Sequence, residues 1–155
     1  MNNYHSIKLK NIVVLNMNEK KPRKKRIRGF AGVIESQLKP KGESDKFKHI
    51  FRNVNKKICV NAIDGRYAAL VIINNGIIEV EEVKNKPKSN LSKKSLDWDG
   101  RIMMSAQSFL EIAMGKLSMT DIVLRMFSRK IKIRGVKNVL LLLKVFKLKE
   151  ESNDK

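Results

Sequence analysis

Few residues in this 155-residue chain could carry out acid–base or nucleophilic chemistry. Histidine is the usual proton carrier in catalysis, but His5 lies in a part of the chain without a clear element, and His49 adjoins the apolar stripe of a predicted helix. Asp97 and Asp99 could share one face of an extended segment, although a capped or solvated turn is the more typical role for such a pair. Cys59 lies in a predicted strand, where we expect a small buried side chain. We therefore predict that the protein has no catalytic residues and is not an enzyme.

Cofactor and metal motifs are also missing from the sequence. Two distant histidines and one cysteine do not have the spacing of metal ligands. Neither of the common glycine-rich phosphate loops occurs. We predict no metal site and no cofactor. A single cysteine also excludes an intramolecular disulfide, and the absence of disulfides is typical of intracellular proteins.

The chain is strongly basic, with 34 Lys and Arg against 15 Asp and Glu and a formal net charge of +19. Its hydrophobic fraction of 42% is enough for one packed core. No apolar run approaches the roughly 20 residues of a membrane-spanning helix, and the N-terminus lacks a signal-peptide pattern. We expect a cytoplasmic protein that is neither secreted nor inserted in a membrane, with peripheral membrane contact left open by its charge.

The densest charge lies before residue 30, where seven cations occur within nine residues. These cations are Lys20, Lys21, Arg23, Lys24, Lys25, Arg26 and Arg28. Such a run is often a solvated tail, but it could also contact nucleic-acid phosphates or anionic lipid headgroups. Aromatic residues make up only 6% of the chain and do not interleave with the cations, which favours lipid over single-stranded nucleic acid.

Hydrophobic periodicity and turn signals predict most elements after residue 44. A capped helix is expected over residues 45–57. Asp64-Gly65 and Asn75-Gly76 then separate three β-branched segments, a pattern that predicts an antiparallel meander. The predicted strands are 58–63, 67–74, 77–83, 99–104 and 128–134. Three later helices are predicted: 106–114, which Ser105 can cap and Gly115 ends, a second that Ser118 or Thr120 can cap and that ends at Phe127, and 136–149.

The last third of the chain has more apolar surface than one small sheet covers. The final helix is apolar around most of its circumference, which is more than an ordinary surface helix shows. The two short helices before it are rich in Met and Phe, and methionine adapts to irregular partners. Such residues are often plain core, but here their surplus predicts an internal hollow.

The order of these motifs resembles the sterol carrier protein type 2 family. The resemblance rests on Ile102-Met103-Met104-Ser105, Phe109-Leu110, Gly115-Lys116-Leu117, the alternating Lys130–Gly135 segment and the leucine-rich final helix. It implies an α/β (α+β) fold in which helices cover a mostly antiparallel five-stranded sheet and enclose an apolar ligand tunnel. Unlike the eukaryotic carriers, the chain ends without a peroxisomal signal such as Ser-Lys-Leu.

The resemblance also implies which residues face the tunnel. From the strands they are Leu70, Ile72, Ile102 and Met104, with Ile78, Val80, Ile131 and Ile133 pointing the same way. From the helices they are Phe109, Ile112, Ala113, Met119, Ile122, Met126, Val139, Leu142, Leu143 and Phe146.

We therefore expect a basic N-terminal extension at residues 1–43, a lipid-binding domain at 44–149 and a tail at 150–155. The expected function is non-catalytic binding or transfer of a fatty acyl, isoprenoid or sterol-like lipid. Two alternatives remain open. One is a basic nucleic-acid-associated protein that uses the N-terminal run and the outward Lys130, Lys132 and Arg134. The other is an accessory subunit that presents a lipid to an enzyme.

Overall fold

The computed structural model describes residues 27–148. Within this range five strands form one mixed sheet in the spatial order β3-β2-β1-β4-β5. Three neighbouring pairs are antiparallel and β1 runs parallel to β4, so the predicted mostly antiparallel five-stranded sheet is confirmed. The strands are β1 (Asn55–Ala62), β2 (Tyr67–Asn74), β3 (Ile77–Lys84), β4 (Gly100–Met104) and β5 (Lys132–Arg134).

Six α-helices lie in the same range. They are α1 (Gly29–Glu43), α2 (Asp45–Phe51), α3 (Lys93–Leu96), α4 (Ala106–Ala113), α5 (Met119–Phe127) and α6 (Val136–Phe146). A 3₁₀ turn at Lys88–Leu91 precedes α3. None of the described helices is both long and apolar enough to cross a bilayer.

The two predicted hairpins form, but their turns differ. Asn75 and Gly76 both have positive φ and join β2 to β3 in a two-residue turn, as Asn-Gly favours. Asp64-Gly65 instead lies in a four-residue connection, in which the Gly65 N–H donates to the Ala62 carbonyl at 3.0 Å. Asp64 accepts the Ala106 N–H at 2.9 Å, so this loop also fixes the start of α4.

The main core lies on one face of the sheet. Alternate strand residues, among them Val60, Val71 and Ile102, are buried there against side chains of α1, α2, α4, α5 and α6. α1 packs mainly over β2 and β3, whereas α6 packs over β4 and β1. The helices therefore cover one face of the sheet from edge to edge.

Helix α1 lies before residue 44, where we expected an extension of uncertain order. Its glycines and Pro40 gave no helical signal, yet Ala31, Ile34 and Leu38 are fully buried at helical spacing. Tertiary packing has overridden weak intrinsic propensity here.

The opposite face has a smaller core of its own. Cys59, Leu70, Leu91 and Trp98 are buried there, and Ile72 packs against them. The Trp98 Nε1–H donates to the Leu91 carbonyl at 3.2 Å, which secures the cover formed by the 3₁₀ turn and α3.

Three elements are shorter than the sequence predicted. The first helix stops at Phe51 because β1 already begins at Asn55, and the last described helix stops at Phe146. The strand predicted over residues 128–134 is reduced to Lys132–Arg134. Arg129 adopts a left-handed conformation, which interrupts the extended chain. The Ile131 N–H donates to the Arg125 carbonyl at 3.1 Å and therefore does not pair with a neighbouring strand.

Candidate functional site

Two short capped helices form the part of the fold that carries the candidate site. The Ser105 side chain accepts the Ser108 N–H and begins α4, and Gly115, with φ of 69°, lies just beyond its end. Ser118 and Asp121 form a capping box that begins α5. The sequence predicted the Ser105 cap and the Gly115 stop, and it allowed either Ser118 or Thr120 to cap the second helix; the structure uses Ser118. We call these two helices and the turn between them the helical hairpin.

A partly open cavity of about 350 Å³, lined mostly by apolar residues, lies between this hairpin and the end of α6. Its size is at the lower end of the range for small-molecule sites, roughly 300–1,000 Å³. The residues around it are Ile112, Ala113, Met114, Gly115, Leu117, Ser118, Ile122, Leu143, Phe146 and Lys147. We call this space the α4–α6 cavity.

Five residues of the predicted ligand set line the α4–α6 cavity, namely Ile112, Ala113, Ile122, Leu143 and Phe146. The sequence interpretation missed Met114 and Leu117 in the interhelical turn and Lys147 at the end of α6. A signal for Met114 and Leu117 was present, because a turn exposed to solvent is usually polar and these two residues beside Gly115 are apolar.

Other members of the predicted set are core residues rather than cavity walls. Ile102, Met104, Val139 and Leu142 are buried in the main core, and Met126 packs against it. The side chain of Met119 is not among those that the structure describes.

Leu70 and Ile72 were assigned to the wrong face of the sheet. They belong to the smaller core under Trp98, whereas Ala69, Val71 and Ile73 of the same strand face the helices. β2 is buried on both faces, so its near-continuous apolar run does not show which residues point to the helices. Ile78, Val80, Ile131 and Ile133 do face the helices as expected.

Phe109 lies between the α4–α6 cavity and a second apolar space. Its ring packs edge-on against Phe146 at 5.4 Å and against Phe30 at 5.0 Å between centroids. Phe146 lines the α4–α6 cavity, and Phe30 lines a cleft of about 450 Å³ near Tyr67 and Leu110. The three rings therefore stand where a tunnel through the domain would run, and the tunnel itself stays a prediction.

An ion pair joins the two helices of the hairpin. The Arg125 Nη1 lies 2.8 Å from Glu111 Oε2 and also donates to Ser108 Oγ at 3.1 Å. Hydrogen bonds from Gln107 and Arg125 lower the pKa of Glu111, so the pair persists into mildly acidic solution. Since α5 supplies Ile122 to the cavity wall, this pair holds the wall in place.

Replacing Arg125 by methionine should loosen α5 without removing apolar packing. We expect amide hydrogens of α5 to exchange several-fold faster, because the helix loses its polar link to α4. Glu111→Gln should act in the same direction, and the double variant should be little worse than either single variant. Strictly additive effects would contradict a direct coupling of the two side chains.

Four of the five residues considered for chemistry, His49, Cys59, Asp97 and Asp99, lie in the described range. His49 is exposed on α2, and His5 lies outside the described residues. Burial opposes ionisation of Asp99, but hydrogen bonds from the Lys57 N–H and the Lys56 ammonium outweigh it and lower its pKa. The Asp97 Oδ2 lies 3.7 Å from the Lys57 Nζ, so the two side chains form an ion pair. No group of three or more metal-ligating side chains occurs between residues 27 and 148.

Burial raises the pKa of the Cys59 thiol from its usual 9.0 to about 11. A thiol reagent should therefore modify Cys59 only after unfolding, because the thiolate is the reactive form. The raised pKa stabilises the fold fully below pH 9.0, and this contribution is lost as the pH rises towards about 11. A Cys59→Ala variant should lose less stability over that interval in urea unfolding; equal losses, or rapid native labelling, would contradict this assignment.

The basic run lies almost entirely outside the described residues. Lys20, Lys21, Arg23, Lys24, Lys25 and Arg26 precede residue 27, and Arg28 alone is described. Arg28 is exposed, and its backbone N–H donates to Glu82 at 3.4 Å. Its contact with a membrane or nucleic acid stays a prediction.

The fold is similar to solved structures of sterol carrier proteins. No protein-family model and no curated protein matches the sequence. The UbiJ-SCP2 ubiquinone synthesis protein superposes with a TM-score of 0.54 and 13% identity over 75% of this chain and 87% of its own. Sterol carrier protein 2 from Yarrowia lipolytica, in its apo form, gives a TM-score of 0.54 and 16% identity over 81% of this chain and 97% of its own. The chain therefore has the fold of sterol carrier protein 2, as the resemblance in its sequence implied.

Proposed function

We propose that this protein is a non-catalytic lipid-binding or lipid-transfer protein whose ligand enters the α4–α6 cavity with an apolar chain. The observation that carries the proposal is the cavity itself, which is lined by aliphatic and aromatic side chains beneath a helical hairpin. The sterol carrier protein 2 fold gives independent support. Fatty acyl, isoprenoid and sterol-like groups are the ligand chemistry that fits such walls.

Apolar burial supplies the binding free energy in this proposal. Each buried methylene contributes about 0.8 kcal/mol, so ten methylenes give on the order of 8 kcal/mol before the cost of immobilising the ligand. Affinity should therefore rise with chain length until the cavity is full. Because eight of the ten lining residues are apolar or glycine, selectivity among chains of equal length should be weak.

Two polar residues also line the cavity. Lys147 is exposed and lines the cavity together with Ser118. An ammonium group and a hydroxyl that line the same cavity suit an anionic headgroup such as a carboxylate. We therefore place the headgroup of a fatty acid at Lys147 and its chain between α4 and α6.

A titration with a fluorescent fatty acid tests the proposal. Ile122→Asp puts a charge on a wall residue that is 5% exposed, whereas Leu124→Asp puts the same charge at a site on α5 that is 61% exposed. We expect saturable binding by the wild type and by Leu124→Asp, and a loss of tenfold or more for Ile122→Asp, since a charge in an apolar cavity is costly. Ala113→Leu fills the cavity without adding charge and should also weaken binding.

Thermal unfolding would show whether each variant is folded. Absence of saturable binding by the wild type, or unchanged binding by a folded Ala113→Leu variant, would contradict the proposal.

A role as an accessory subunit is the second candidate. One structure with the same fold is a ubiquinone synthesis protein, which favours a lipid carrier acting beside a biosynthetic enzyme. Affinity purification of the full chain from its host would recover such an enzyme. Recovery of nucleic acid without any enzyme or lipid would instead support the nucleic-acid alternative.

A further inference from the structure

The connection from α5 to β5 exposes two apolar and four basic side chains within eleven residues. β5 is an edge strand, and its Lys132 and Arg134 alternate with Ile133, so they leave the sheet on the face opposite the helices. Phe127 is 82% exposed and Leu124 is 61% exposed. Arg129, Lys130, Lys132 and Arg134 follow within seven residues of Phe127 and are also exposed. We call these six residues the α5–β5 corner.

Backbone hydrogen bonds hold the corner in a defined shape. Three backbone N–H groups donate to carbonyl oxygens of α5. Ser128 donates to Leu124 at 3.0 Å, Arg129 to Met126 at 3.0 Å and Ile131 to Arg125 at 3.1 Å. Ile131 itself is buried in the main core. The exposed Phe127 ring is therefore presented by a closed turn that is anchored on both sides.

The α5–β5 corner carries four cations and no acidic residue. Among residues 27–148, its four cations form no ion pair. Arg134 also lies directly opposite Arg101 in the β4–β5 register. Like charges at opposed positions destabilise a sheet, so a bound polyanion would relieve this repulsion.

We propose that the α5–β5 corner docks on an anionic lipid bilayer. Phe127 and Leu124 would enter the interfacial region, while the cations would lie among the phosphates. Nucleic acid fits less well, because single-strand binders stack several bases on aromatic rings and Phe127 is the one strongly exposed aromatic in the described range. The inference rests on the proposed lipid function only in choosing a membrane as the partner.

Docking through the corner would place α5 against the membrane. This helix carries Ile122 in the wall of the α4–α6 cavity and is tied to α4 by the Arg125–Glu111 pair. The surface is distinct from the N-terminal basic run and belongs to the folded domain.

Vesicle sedimentation with the full chain tests the inference. The vesicles contain phosphatidylcholine alone or with phosphatidylglycerol. The corner variants are Phe127→Ser with Leu124→Ser, and Lys132→Ser with Arg134→Ser. Their matched controls are Ile77→Ser, an apolar residue 61% exposed on β3, and Lys39→Ser with Lys46→Ser, two exposed cations on α1 and α2. Each variant is also made in a chain whose cations at 20–26 are serine, so that the basic run does not mask the effect.

We expect each corner variant to bind phosphatidylglycerol vesicles about tenfold or more weakly, while the controls change little and all variants keep fatty-acid binding. Corner variants that bind vesicles as the wild type does would overturn the inference. So would a selective loss of nucleic-acid binding, or a change from dimer to monomer with vesicle binding unchanged. Absence of fatty-acid binding in every protein, with corner-dependent vesicle binding, would refute the proposed ligand function and leave the docking surface supported.

Discussion

Replacing Phe109 by alanine should lower the free energy of unfolding by about 3–5 kcal/mol. The ring is 2% exposed and contacts both Phe30 and Phe146, so its removal leaves a void in the middle of the main core. Phe127→Ala removes the same ring from a site that is 82% exposed and should cost little. Urea unfolding of the two variants measures the difference.

The same substitution should alter ligand preference. We expect removal of the ring to join the α4–α6 cavity to the cleft beside Phe30, so longer acyl chains should gain affinity relative to shorter ones. A long-chain fatty acid should then restore part of the lost stability, because it binds the folded state and fills the void. Phe109→Leu, a milder change, should show the same trend if the alanine variant does not fold. An unaltered chain-length preference in both variants would contradict the placement of Phe109 between two lipid-accessible spaces.

Replacing Gly135 by alanine should be the second large effect. Gly135 has φ of 65° and forms the N-cap of α6, directly after β5. A Cβ there would overlap the Asp99 carbonyl oxygen, which belongs to the backbone and cannot move aside cheaply. The left-handed conformation alone costs a non-glycine residue of order 1–3 kcal/mol, and the overlap adds to that cost.

Gly115→Ala is the matched control for this position. Gly115 also has positive φ, at 69°, but a Cβ added there meets no atom within 4 Å. Both variants carry the backbone strain, so the difference between their unfolding free energies isolates the close contact between α6 and the start of β4. Equal destabilisation would show that the contact is relieved by a small shift of the chain.

Local sequence signals predicted the parts of the fold that short-range chemistry determines. The Asn75-Gly76 turn, the Ser105 and Ser118 caps and the end of α4 near Gly115 all depend on neighbouring residues, and all are confirmed. These caps position the two helices that carry Ile112, Ala113 and Ile122, which the family resemblance implied as ligand-facing residues.

Features that depend on tertiary packing were harder to predict. Pro40 and the glycines give α1 a low helix propensity, and packing against the sheet stabilises the helix nonetheless. Leu70 and Ile72 were assigned to the wrong face because both faces of β2 are buried and its sequence shows no alternation. The left-handed Arg129 shortened β5 and created the α5–β5 corner, and no alternation of apolar and polar residues reveals a single residue in that conformation.

Methyl NMR of the full chain during addition of a fatty acid tests the central claim most directly. If the acyl chain enters the space between the helical hairpin and α6, the methyl signals of Ile112, Ile122 and Leu143 should shift and saturate together. Those of Leu70 and Ile72, on the opposite face of the sheet, should stay in place. Saturable shifts at Leu70 and Ile72, or none at the three cavity residues, would contradict the account.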